Sequence, residues 1–123
     1  MDPKRILVVE DNDFVRMQLC RFLDDEGFVT LESTDGRDAL NKMSRDDSDM
    51  AIVDVRMEPV DGFEFVKILR SRGNQTPILI VTGDDNADIL SEASRLGIAA
   101  VLRKPVQKDR LIKSVLRILN VEK

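Results

Sequence analysis

The chain has 123 residues, 42% hydrophobic and 34% charged, a balance that suits one folded domain burying roughly two-thirds of its unfolded surface and leaves no length for a second. A net charge of −4 and the absence of Trp and Tyr argue against nucleic acid binding, which needs a basic face and rings to stack on bases. No run approaches the ~20 apolar residues of a membrane span, the lone Cys20 excludes an internal disulfide, and without histidine chemistry must run on carboxylates, hydroxyls and Lys or Arg.

Strand and helix patterns alternate along the chain. Lys4 to Val9 is a short branched apolar run of the kind buried on both faces of a parallel sheet. Val15, Leu19, Phe22 and Leu23 then recur at helical spacing until Gly27 supplies a stop, and Cys20 packs among them. Phe28 to Glu32 is a less apolar strand, as expected at a sheet edge. Asp35-Gly36 starts a second helix with Ala39, Leu40 and Met43 inward.

Asp49 to Asp54 is the third strand, followed by a loop over 55–62 and a helix marked by Phe63, Val66, Ile68 and Leu69 that ends at Arg72-Gly73. Pro77 opens a fourth strand, Ile78 to Val81. A fourth helix spans Asn86 to Leu96 with Ile89, Leu90, Ala93 and Leu96 inward and Gly97 as its cap. Ile98 to Leu102 is the fifth strand, and Gln107 to Leu119 the fifth helix, with Leu111, Val115, Ile118 and Leu119 inside. Right-handed crossovers make five such units a doubly wound α/β parallel sheet. The flavodoxin-like order 2-1-3-4-5 suits the weak second strand at an edge. Its switch point lies between strands 1 and 3, where ligands bind beyond the carboxyl ends.

Residues at those ends carry the chemistry. Glu10 and Asp11 follow strand 1, Asp54 ends strand 3, Thr82 follows strand 4 and Lys104-Pro105 follow strand 5. Carboxylates after a strand can simply cap the next helix, yet Asp54 has no helix to cap until Asp61-Gly62. Three gathered carboxylates repel one another, and a hard divalent cation such as Mg²⁺ relieves this. An Asp beside such a cation can act as a nucleophile toward phosphorus. A hydroxyl and an ammonium would hold the remaining oxygens of the transferred group.

These residues resemble the receiver domain of two-component response regulators across essentially the whole chain, 1–123. Leu7-Val8-Val9-Glu10-Asp11 is similar to the family's acidic pair, and Asp35-Gly36 with Ala39-Leu40 to its second-helix signature. Asp54 with Met57, Asp61 and Gly62 matches its phosphoacceptor segment, while Val81-Thr82-Gly83 and Arg103-Lys104-Pro105 match its switch hydroxyl and lysine. The resemblance implies that Asp54 accepts a phosphoryl group from a histidine kinase or phosphotransfer protein. It also implies that Asp11, Asp54 and the Arg56 carbonyl ligate Mg²⁺, with Glu10 acting through water. Thr82 would bond the phosphoryl group, Lys104 pair with it, Lys104-Pro105 be cis, and Arg56 and Asp84 touch and shield it. A downstream effector protein or domain would read the face of helix 4, strand 5 and helix 5, where Leu90, Ser94, Val101 and Lys108 stand.

Departures from the family pattern also matter. Glu58 separates Met57 from Pro59, Val101 stands where many relatives carry an aromatic switch residue, and Ala99-Ala100 replace the acidic pair of one dimerising class. An alternative is a haloacid-dehalogenase-type phosphatase with Asp11 as nucleophile, suggested by Asp11-Asn12-Asp13 and the acids over 84–88. Its order is broken by Lys104 following that motif. A flavin-binding reading fails on Glu10-Asp11, which repel phosphate. The amino terminus lacks a signal-peptide pattern, so the expected address is cytoplasmic, whether the domain stands alone or opens a longer regulator.

Overall fold

A computed structural model of the chain describes residues 2–45, 48–84 and 86–121. Five parallel strands, β1 Arg5–Val9, β2 Val29–Ser33, β3 Met50–Asp54, β4 Ile78–Thr82 and β5 Ala100–Arg103, form one sheet in the order β2-β1-β3-β4-β5. The helices α1 Asp13–Asp25, α2 Gly36–Arg45, α3 Gly62–Ser71, α4 Ala87–Arg95 and α5 Lys108–Leu119 make the connections. The doubly wound order is thus the one expected from the sequence.

Alternation along the strands divides the core in two. Leu7, Val9, Ala51, Val53, Ile78 and Ile80 pack with α2, α3 and Ile89 of α4. Ile6, Val8, Met50, Ile52, Leu79 and Val81 pack with α1 and α5. Each Val, Leu, Ile or Met side chain among these, taken fully out of water, contributes about 1.5–3 kcal/mol. That double burial is why the strands read as continuous apolar runs rather than alternating ones. Cys20 sits in the second layer, and loss of water around its thiol pushes its pKa up to about 11.

Three details depart from the periodicity. β5 begins at Ala100, because the Ile98 N–H is spent on the Ala93 carbonyl (2.9 Å) in a turn closing α4, with Gly97 at φ 69°. Leu90, expected inward, is 61% exposed, since Ile89 and Ala93 take the buried face of α4. In α3 the fully buried ring is Phe65, with Phe63 half-buried.

Candidate functional site

The register assembles the site. Val9 lies opposite Val53, which sets Glu10, one residue on, level with Asp54. Asp54 lies opposite Val81 and Thr82 opposite Arg103, so Thr82 and Lys104 follow in turn along the same edge. Glu10, Asp54 and Thr82 are buried, at 0%, 5% and 2% exposure, while Asp11 is exposed. Glu10 and Asp11 do not cap α1: that part falls to Asn12, whose side chain accepts from the Val15 N–H at 3.1 Å. Asp61 caps α3 in a capping box with Glu64.

Lys104 reaches into the acids from β5. Its Nζ lies 2.7 Å from Glu10 Oε1 and 3.3 Å from Asp54 Oδ1. Burial works against the charge on this ammonium, but the contacts with Glu10 and Asp54 outweigh it and raise its pKa. Asp11 is shifted up as well, first by desolvation and then by its contact with Glu10 and that carboxylate's charge.

Glu10, Asp11 and Asp54 each offer a carboxylate oxygen, all within 4.8 Å of one another. Oxygen-only donors at that spacing fit a hard divalent cation, so the residues present can hold the metal that the sequence led us to expect. Arg56, whose carbonyl was expected to join them, lines an open hollow with Asp11, Val55, Met57, Glu58 and Asp61. A second hollow of about 420 Å³ is lined by Asp54, Arg56, Thr82, Gly83, Asp84 and Lys104, and has room for a phosphoryl group.

Among the residues lining that hollow, Arg56 Nη2 donates to Asp84 Oδ2 in an ion pair. This bond, with a second from the Asn86 N–H, holds the Asp84 carboxyl below its ordinary range. The Asp84 N–H donates in turn to Thr82 Oγ1 at 3.0 Å. Arg56, Asp84 and Thr82 therefore form one chain from the β3-α3 loop to the β4-α4 loop. Val101 is half-buried, and beside it a hollow of about 240 Å³ is lined by Thr82, Asp84, Asn86, Ile89, Leu90 and Arg103. The Lys104-Pro105 bond is cis, and so is Glu58-Pro59, which the sequence did not announce.

Two further contacts escape sequence reasoning. The Gly36 N–H bonds the Val60 carbonyl at 3.1 Å, and a Cβ on Gly36 would stand 2.4 Å from that oxygen, so α2 starts hard against the Asp54 loop. Arg16 of α1 gathers three acceptors around the Glu10-Asp11 turn. Its signal was a single cation amid Glu10, Asp11 and Asp13.

A doubly wound sheet with an acidic pocket, a hydroxyl and an ammonium at its switch point defines a class of small phosphoryl-handling α/β domains. The chain belongs to the response regulator receiver family: the family described as "Response regulator receiver domain" matches residues 6–116. It is 36% identical over 104 residues to the Regulator of RpoS of Escherichia coli (strain K12), covering 85% of this chain and 31% of that protein. It is 36% identical over 110 residues to the Response regulator MprA of Mycolicibacterium vanbaalenii, covering 89% and 48%. The chain thus spans about a third to a half of these relatives. The solved structure of the chemotaxis response regulator CheY4 of Vibrio cholerae matches with a TM-score of 0.87 at 33% identity, over 95% of this chain and 99% of that one. The phosphatase alternative with Asp11 as nucleophile finds no support in these likenesses, and Asp85 of its acidic motif lies outside the described residues. Among the described residues no helix is long and apolar enough to cross a membrane.

Proposed function

We propose that this receiver domain accepts a phosphoryl group on Asp54 and uses it to shift the loops that carry Thr82 and Lys104. The observation that carries the reading is the position of Lys104, whose ammonium bridges Glu10 and Asp54 at the rim of a hollow lined also by Thr82. An oxygen of the Asp54 carboxylate forms a bond to phosphorus as the phosphorus–nitrogen bond of a phosphohistidine donor breaks. The electron pair stays on the imidazole nitrogen. Lys104, kept charged by its two acids, turns to the incoming oxygens. Thr82, whose oxygen accepts from the Asp84 N–H, turns to donate its O–H to a phosphoryl oxygen.

Glu10, Asp11, Asp54 and the Arg56 carbonyl would hold Mg²⁺, which when bound neutralises charge on the transferring group. Arg56 and Asp84 stand over the hollow and restrict water's approach to the acyl phosphate, so the domain governs its own dephosphorylation. The domain works in the cytoplasm, and the donor is a histidine kinase or phosphotransfer protein. A downstream effector protein or domain reads α4, β5 and α5, where Leu90 and Ser94 are exposed and Val101 and Lys108 half-buried. With Val101 rather than an aromatic at the switch, and Pro105 closing the Lys104 turn, the β4-α4 loop carries the change.

Labelling with a radioactive small-molecule phosphodonor tests this. Wild-type protein is expected to take label when Mg²⁺ is supplied, and Asp54→Ala to take none. Label that survives Asp54→Ala would sink the acceptor assignment, and steady phosphate release from a monoester that depends on Asp11 would restore the phosphatase reading.

A further inference from the structure

Arg16 lies in the first turns of α1, and long helical side chains lean back toward the helix N-terminus. Its guanidinium therefore reaches past the start of the helix. Nη1 donates to the Glu10 carbonyl at 2.9 Å, Nη2 to Asp13 Oδ1 at 2.6 Å and Nε to Glu32 Oε1 at 3.0 Å. The side chain is only 13% exposed, although Asp13 and Glu32 are 76% and 53% exposed. Ion pairs to such open carboxylates add little stability, so they do not account for the burial of an arginine here. The third bond does, because of where it falls.

The Glu10 carbonyl belongs to the planar peptide that joins Glu10 to Asp11. Holding that oxygen fixes the plane, and with it the directions in which both carboxylates leave the backbone. The same guanidinium draws Asp13 onto itself, so that Glu10 and Asp11 rather than Asp13 join Asp54 in the oxygen cluster. We propose that Arg16 is a positioning residue of the cation site, selecting Glu10 and Asp11 as its acids and aiming them at Asp54. This rests on the reading that Glu10, Asp11 and Asp54 hold a divalent cation. Lysine cannot substitute: it is a point charge without the rigid fork that spans three separate acceptors.

The sign of the effect separates positioning from plain electrostatics. Removing a nearby positive charge would by itself tighten cation binding, whereas loosening the Glu10-Asp11 peptide weakens it. Mn²⁺ serves as the probe, its free ion counted by electron paramagnetic resonance during titration of the whole domain. Circular dichroism melting reports that each variant is folded. Arg16→Gln and Arg16→Lys are both expected to bind Mn²⁺ about 10-fold more weakly, the usual effect of losing a partner that orients metal ligands. Equal or tighter binding in Arg16→Gln, or full affinity in Arg16→Lys, overturns the proposal. Should Arg16→Gln melt below the assay temperature, Arg16→Lys decides alone. Asp11→Asn is the control: wild-type affinity in that variant would remove the cation site itself, whereas loss in Asp11→Asn with none in the Arg16 variants would remove only the positioning role.

Discussion

β3, which carries the proposed acceptor, and β5, on the face proposed to report, are built to different standards. Every residue of β3 is buried, and Asp54 is the last of them. No residue of β5 is fully buried, its neighbour α4 presents Leu90 to solvent, and a hollow of about 240 Å³ lies between them at Thr82 and Val101. Close packing admits few alternative arrangements, whereas a loosely filled edge can be moved at small cost. Asp54, the acceptor of the proposed function, is seated in the first region. Lys104 and Val101, which the proposed switch would move, are seated in or beside the second, while Thr82 ends the fully buried β4 that lies between the two.

Stability measurements give the widest separation between the two. Ile52→Ala, in the fully buried middle of β3, is expected to cost about 3–4 kcal/mol, and Val101→Ala in half-buried β5 less than about 1.5 kcal/mol. Urea unfolding followed by circular dichroism, suited to a chain without Trp, reads both; similar costs would dissolve the contrast. The glycines repeat the test more gently. A Cβ on Gly62 would stand 2.3 Å from the Asp54 carbonyl oxygen, so Gly62→Ala is expected to cost about 1–3 kcal/mol through forced backbone movement. Nothing lies within 4 Å of a Cβ on Gly83, and Gly83→Ala should stay within about 0.5 kcal/mol of wild type.

The same contrast governs what could be read from the sequence. Strands buried on both faces leave unbroken apolar runs, so β1, β3 and β4, and with them the positions of Glu10, Asp54 and Thr82, were legible from residue order alone. Their order in the sheet was inferred from the weaker β2. Periodicity gives the face of a helix but not its depth: Leu90 shares an apolar stripe with Ile89 and Ala93, yet lies beyond the reach of the sheet. In α3 apolar residues at 63, 65, 66, 68 and 69 surround so much of the helix that pattern alone could not select Phe65. Arg16 and the Gly36–Val60 contact depend on how loops meet in space, and short-range spacing carries no record of that.

The contact between the two regions offers the finest test. Arg56, from the loop after β3, pairs with Asp84, from the loop after β4, and Asp84 in turn holds the Thr82 hydroxyl through its N–H. Removing the guanidinium opens the hollow over Asp54 and frees the reporting loop at once. Arg56→Ala is therefore expected to lose its phosphoryl label faster by a factor of about 2 to 5, in keeping with the modest worth of a solvent-exposed pair. The pH dependence fixes the cause. Lys104, where burial is outweighed by Glu10 and Asp54 and the pKa is raised, stays charged throughout neutral pH, and Asp84 is held below its ordinary value of 3.8, first by Arg56 and then by the Asn86 N–H. A depressed carboxylate keeps its pair above that value and releases it only as pH falls through the lowered one. The ratio of the Arg56→Ala rate to the wild-type rate should thus be flat between pH 8 and about pH 5, well above the range in which Asp84 takes up its proton. An unchanged dephosphorylation rate, or a ratio that falls steeply within this window, would show that the two regions are not joined through this pair.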